Sequence, residues 1–69
     1  MRPRLFELVR LEDENGVSGT GIVADGVEFG DMSCVLHWTK APRSVSVFNS
    51  LADIMTVHGH GNTTRVRFI

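Results

Sequence analysis

The sequence has few of the features that usually cross-link or anchor a small domain. Its 69 residues include one cysteine and no tyrosine. A single cysteine excludes a disulfide within the chain, so a bound metal or self-association are the remaining common supports. No apolar run reaches the roughly 20 residues of a membrane span, and the segment "MRPRLFELVR" lacks the apolar core of a secretion signal. We therefore expect a cytoplasmic protein without membrane contact and with a reduced thiol.

The net charge is also small, which narrows the classes of partner that the protein could bind. The formal net charge is -1, with 42% hydrophobic and 22% charged residues. This composition is typical of a folded globular protein, and the length predicts one domain over residues 1–69. A chain of this size hides only about 60% of the surface that its unfolded form exposes, so its stability should be thin. The nearly neutral charge argues against nucleic acid as the partner.

Most of the chain alternates apolar and polar residues as strands do. In "LFELVRL" we expect Phe6 and Leu8 on one face and Glu7 on the other. A turn is predicted at Asn15-Gly16, and "VSGTGIVADGVEF" resumes the extended pattern with a second turn at Asp25-Gly26. After the turn-forming "GDMS" come the strands "CVLHWT" and "SVSVF", separated by a "KAPR" loop, and "TTRVRFI" closes the chain as a strand.

One short helix is predicted before the last strand. Ser50 and Asp53 resemble a capping box, and Gly59 stands where helices commonly end in the left-handed conformation. One helix face would consist of Leu51, Ile54, Met55 and His58. The predicted fold is mainly β (α+β), with about five strands and this helix, arranged as a small bent antiparallel sheet or an SH3-like partial barrel.

Arginines cluster near both ends of the sequence. They would form one basic strip if the first and last strands are neighbours, and the alternative is that they are ordinary solvated residues of strand faces. The set comprises Arg2, Arg4, Arg10, Arg65 and Arg67.

Two glycines and the single tryptophan are candidates for partner binding. Gly19 and Gly21 would leave one strand face bare, which suits a bulge or a bend, or the close approach of a ligand or partner. Trp38 is either a core residue or an interface anchor. Because so small a domain needs support, we expect a homo-oligomer rather than a free monomer, with association through an exposed edge strand.

The histidine-rich segment "VHGHGNTTRV" is the candidate ligand-binding loop. His58 and His60 are half of a zinc site at most, so we expect no metal and interpret them as a helix end and a turn. Cys34, a histidine and an acid could form a catalytic triad on paper, but no local signature accompanies them, so we expect no catalysis and no cofactor. The tentative ligand-binding residues are His58, His60, Gly61, Asn62, Thr63, Thr64 and Arg65.

Three segments together resemble a family of small proteins from bacteriophages and prophage-bearing bacteria. They are "GVSGTGIVADGVEF", "LHW" and "VHGHGNTTRVRF". The resemblance covers most of the chain, and two departures are Met32-Ser33 in place of an Asp-Gly turn and Asn62 in place of glycine. It implies a setting, the cytoplasm of a host cell, and no particular chemistry.

The leading hypothesis is therefore a non-enzymatic phage accessory protein that binds and inhibits a host protein, in host takeover or anti-defence, as a homo-oligomer. The alternative is a sponge that sequesters a nucleotide signal through "HGHGNTTR", where turn amides, threonine hydroxyls and an arginine would hold phosphates. A barrel that binds single-stranded nucleic acid is a third hypothesis, which the formal charge disfavours.

Overall fold

The computed structural model describes residues 2–11, 21–59 and 63–69, and it contains five strands and one helix. Turn-forming residues separate the strands, as the sequence predicts. In chain order the elements are β1 (Arg4–Arg10), β2 (Gly21–Glu28), β3 (Cys34–Trp38), β4 (Val45–Phe48), α1 (Leu51–His58) and β5 (Thr64–Phe68). The predicted mainly β fold with a short helix before the last strand is confirmed.

The strands form one antiparallel sheet in the order β4-β3-β2-β1-β5. The sheet is not closed into a barrel, so β4 and β5 are its two edges. The chain therefore adopts the bent sheet, the first of the two predicted arrangements. The last strand lies beside the first, which places residues from both ends of the sequence next to each other.

Among the described residues, α1 covers one face of the sheet and no element covers the other. Ile54 of the helix is fully buried in a core with strand residues. These buried strand residues are Phe6, Leu8, Val23, Ala24, Cys34 and Leu36. We call this side of the sheet the helix face and the other side the open face.

Helix α1 forms as the sequence predicts. The Ser50 hydroxyl accepts a hydrogen bond from the Asp53 amide at 3.1 Å, which satisfies one of the free amides of the first turn. The four residues predicted to face inward are all buried or half-buried: Leu51, Ile54, Met55 and His58. Gly59 ends the helix, but its φ of -69° is right-handed, so the expected left-handed cap was wrong. A Cβ on Gly59 would instead collide with the Met55 carbonyl oxygen.

Two predicted turns have different outcomes. Asp25-Gly26 is not a turn, because both residues lie inside β2, while Asn15-Gly16 lies outside the described residues. The bend expected in this segment occurs as a bulge, where β1 passes from Leu8 to Val9 while β2 skips a residue. Gly21, at the start of β2, has a φ of +84° that favours glycine.

The "GDMS" turn between β2 and β3 is confirmed. The Asp31 carboxylate accepts hydrogen bonds from the hydroxyl and the amide of Ser33, and these bonds lower the pKa of Asp31. Met32 has a φ of +78°, which is unfavourable for a residue with a side chain. Met32-Ser33 replaces the Asp-Gly turn of similar proteins. Here the hydrogen bonds between Asp31 and Ser33 stabilise the turn, and no glycine is needed.

Gly26 explains how β1 and β2 pack closely beneath the helix. It pairs with Phe6 across the two strands, and a Cβ on Gly26 would overlap the Phe6 ring. The ring lies where the glycine side chain would be and is fully buried. Glycine usually weakens a strand, but at this position the aromatic ring on the neighbouring strand leaves no room for a side chain.

We predict that Gly26→Ala destabilises the protein by about 1–3 kcal/mol, because the added methyl group must displace a packed ring. Urea unfolding of the wild type and the variant measures the difference. Phe6→Leu removes the ring that causes the overlap, so adding Gly26→Ala to Phe6→Leu should cost clearly less than adding it to the wild type. Equal costs in the two backgrounds would contradict this explanation.

Candidate functional site

The open face carries a row of aliphatic side chains that crosses the whole sheet. Strand pairing places Val35 beside both Val47 and Val27, and Val27 beside Leu5. The Ile69 amide donates to the Leu5 carbonyl oxygen at 3.1 Å, which extends the row beyond β1. We call this set the aliphatic row: Val47, Val35, Val27, Leu5 and Ile69. It is apolar at every position from the edge strand β4 to Ile69, the residue after β5.

The ends of the aliphatic row are well exposed. Val47 is 73% exposed, Leu5 58% and Ile69 79%, while the two central valines are half-buried by their neighbours. A shallow depression of about 150 Å³ lies along it, lined by both central valines, Leu5 and neighbouring residues of β2 and β3. Aliphatic side chains in one continuous band on a surface are typical of an interaction site.

A charged row runs parallel to the aliphatic row on the open face. His37 pairs with Asp25, Asp25 with Glu7, and Glu7 with Arg67. Arg67 donates to the Glu7 carboxylate from Nε at 3.1 Å and from a terminal nitrogen at 2.7 Å. The charged row therefore holds two carboxylates, one arginine and one histidine, and Arg65 lies one row further along β5 beside Val9.

The described part of the predicted ligand-binding loop does not converge on one point. Thr64 and Arg65 are consecutive in β5, so their side chains lie on opposite faces of the sheet. His58 is half-buried, with its ring 4.8 Å from Trp38 and 5.7 Å from Phe48 between centroids. Thr63 lies next to Thr64, and its carbonyl oxygen accepts from the Leu11 amide. His60, Gly61 and Asn62 lie outside the described residues.

A buried arginine lies next to this loop. Arg10 is only 5% exposed, and its Nε donates to the hydroxyl of the fully buried Thr64 at 3.2 Å. The Thr64 amide in turn donates to the Gly59 carbonyl oxygen at 3.1 Å and closes the turn after the helix. A guanidinium group and a threonine hydroxyl are thus held together where the loop leads into β5.

The arginines do not form the basic strip that the sequence suggested. β1 and β5 are neighbours, but Arg4 and Arg10 lie on the helix face, whereas Arg65 and Arg67 lie on the open face. Arg4 is paired with Glu28 and stacks 4.1 Å over the Phe68 ring. Strand alternation therefore divides these arginines between the two faces of the sheet.

The contacts of Trp38 and the backbone conformation of Gly21 give both residues structural roles. The Trp38 indole donates to the Ser46 hydroxyl at 3.0 Å, and the ring is half-buried against the core. Gly21 is exposed, and a Cβ there would contact nothing within 4 Å, so its positive φ is the feature that requires glycine. Gly19 lies outside the described residues. Partner binding by these three residues stays a prediction.

The aliphatic row was missed in the sequence, and the reason is physical. The alternation of "SVSVF" was recognised, but alternation alone does not say which side α1 covers. On β2, after the bulge at Val23, the inward positions are Ala24, Gly26 and Glu28, so small and charged residues occupy the side that a hydrophobic pattern would leave outside. Counting valines that share a face across the predicted strands was the signal that could have found the row.

Cys34 is part of the core rather than of a site. It is fully buried on the helix face, and burial, followed by the nearby Glu28 and Asp31 charges, raises the pKa of its thiol. Among residues 2–11, 21–59 and 63–69, no three histidine, cysteine or acidic side chains lie together as a metal site would require. In the same residues, no helix is both long and apolar enough to cross a bilayer.

We predict that native Cys34 reacts with a thiol reagent at least about tenfold more slowly than the urea-unfolded chain. Its pKa is raised above the ordinary value of 9.0, so the folded state keeps the proton after the unfolded state has released it. The free energy of unfolding should therefore fall as pH rises through 9 in the wild type but not in Cys34→Ala. Val57→Cys in the Cys34→Ala background is the exposed control and should react rapidly while folded.

Comparison with known proteins agrees with the resemblance seen in the sequence. The family model described as Acb5 phage protein matches residues 3–69, nearly the whole chain. No curated protein and no solved structure matches it. The match extends from before β1 to the end of the aliphatic row, so it includes every element of the fold. The chain belongs to the Acb5 phage protein family.

Proposed function

We propose that this protein is a phage accessory protein that binds a host protein in the host cytoplasm and inhibits it, without catalysis and as a homo-oligomer. The observation that carries the proposal is the open face, with an aliphatic row across four strands and Ile69 and no covering layer among the described residues. Family membership supports the phage setting. Takeover of a host activity and silencing of a defence are both served by binding alone.

The energetics of the open face favour a role in binding. Complete burial of a valine or leucine side chain contributes about 1.5–3 kcal/mol. In the single chain Val47 and Leu5 remain more than half exposed, so most of this contribution is still available to a complex. Exposed side chains on rigid strands also lose little conformational freedom on binding, because the sheet already fixes their backbone.

The proposal predicts that a charge in the aliphatic row abolishes both capture and inhibition of the host protein. Immobilised wild-type chain and Leu5→Glu are incubated with lysate of the bacterial host, and proteins enriched by the wild type are identified by mass spectrometry. The activity of each enriched protein is then assayed with added chain. Leu5→Glu should lose both effects, because a carboxylate would have to be desolvated in an apolar contact.

Val57→Glu is the matched control for this experiment. Val57 is 61% exposed, close to the value for Leu5, but it lies on α1, away from the open face. This variant should capture and inhibit like the wild type. If Leu5→Glu captures and inhibits as well as Val57→Glu does, the open face does not carry the function.

A nucleotide sponge is a second candidate, and the buried Arg10 with the Thr64 hydroxyl favours it. The Arg10 guanidinium group and the Thr64 hydroxyl, which lies near the end of "HGHGNTTR", are donors of the kind that phosphate oxygens accept from. Arg65 could reach a ligand only from the open-face side, because its side chain lies opposite that of Thr64. A ligand held by both would therefore have to lie around the end of the sheet.

The sponge predicts thermal stabilisation by cyclic nucleotides. A ligand at about 100 times its Kd stabilises the native state by about 2.7 kcal/mol, which should raise the Tm of so small a domain by about 10 °C or more. His60→Ala and Arg65→Ala should remove the shift, and Arg67→Ala, on the same strand and face as Arg65, should retain it. No shift for the wild type with any cyclic nucleotide would reject this candidate.

A further inference from the structure

We propose that the open face is the interface of a symmetric dimer, in which the aliphatic row of one copy packs against the aliphatic row of a second copy. This inference deepens the proposed function, on which it rests for the homo-oligomer, by assigning the surface that self-associates. A host protein that binds the aliphatic row would compete with the second copy, so it would be captured by the dissociated chain. It replaces the edge-strand contact expected from the sequence with a contact between sheet faces.

The pattern of the open face suits a second copy of the same chain. In a two-fold interface the same patch meets itself, so it must be self-complementary. A row with an aliphatic side chain at each of its five positions meets this condition, because every position can face another aliphatic position. Packing of two sheets face to face, with their strands at about 30°, is a common way to form a core between them.

The charges around the aliphatic row also permit self-pairing. The open face holds the carboxylates of Glu7 and Asp25 and the guanidinium groups of Arg65 and Arg67, so its formal charges balance at two of each sign. Two copies would therefore not repel each other overall. A face of one sign would have indicated a partner of the opposite sign, whereas a balanced face carries its own complement.

The size of the open face fits a reversible dimer. Five strands at about 4.8 Å spacing give a width of about 24 Å, and about five residues at 3.3 Å give a length of about 17 Å. The flat footprint is thus about 400 Å² before the relief of side chains is added. Interfaces at the lower end of the specific range hide about 600 Å² on each partner, so we expect association that depends on protein concentration.

Sedimentation equilibrium over about a hundredfold range of concentration tests the proposal, with Leu5→Glu as the main variant. Leu5 lies on β1, an interior strand, so the substitution enters a face-to-face interface but leaves both sheet edges unchanged. Because a symmetric dimer contains the substitution twice, we expect Leu5→Glu to raise the dissociation constant of the dimer at least about 100-fold. Val57→Glu, with a similarly exposed valine on the helix, should dimerise like the wild type.

A second measurement covers the case in which Leu5→Glu fails to fold, as judged by circular dichroism. In a mixture of isotope-labelled and unlabelled wild-type chains, filtered NMR spectra should show intermolecular contacts between methyl groups of Val47, Val35 and Leu5. A monomeric wild type at the highest concentration would overturn the proposal. So would a dimer that Leu5→Glu does not weaken, which would indicate an edge contact, or a dimer without these methyl contacts.

The outcomes separate this inference from the proposed function. A wild type that is monomeric alone but captures a host protein through Leu5 would reject the dimer and retain the inhibitor. A dimer that Leu5→Glu dissociates, with no host protein captured by the wild type, would retain the interface and reject the inhibitor.

Discussion

One helix of eight residues has to cover a sheet of five strands, and it can cover only one of the two faces. Most features of the molecule follow from this constraint. The helix face holds the buried core around Ile54, with Leu8 and Leu36 among its strand residues. The open face has no layer above it in the described part of the chain, so whatever aliphatic residues the strands place there remain in contact with water.

The constraint also explains the small residues inside the fold. A helix packs against a sheet only if the strands beneath it leave room, and Ala24 and Gly26 provide that room at the centre of β2. Phe6 fills the space over Gly26, so one large ring serves two strands. Val23 of β2 is buried at the bulge, but with the small residues Ala24 and Gly26 directed inward, Val27 is directed outward. This part of the aliphatic row therefore results from the way the core is packed.

The elements could be predicted from the sequence, and so could the opposite faces of Phe6 and Glu7 on β1, whereas the inward side of β2 and the distribution of the arginines could not. The Ser50 cap, the helix face from Leu51 to His58 and the strands "CVLHW" and "SVSVF" depend on local chemistry, and local patterns reveal them. The turn at Asp25-Gly26 was wrong because Phe6, twenty residues away, determines the role of that glycine. The single basic strip was wrong because β1 and β5 place their arginines on different faces. Contacts between distant residues decided each of these points.

The charged row limits how two open faces could meet. Glu7 and Asp25 are direct cross-strand neighbours, a placement that is unfavourable for like charges unless cations lie close by. Arg67 binds Glu7, and His37 is the strand neighbour of Asp25 on the other side of the row. A shift of one face over another that brought these acids onto the aliphatic row would require them to lose water without a partner. An apolar band would accept many partners and alignments, whereas a parallel row of fixed charges makes most of them costly.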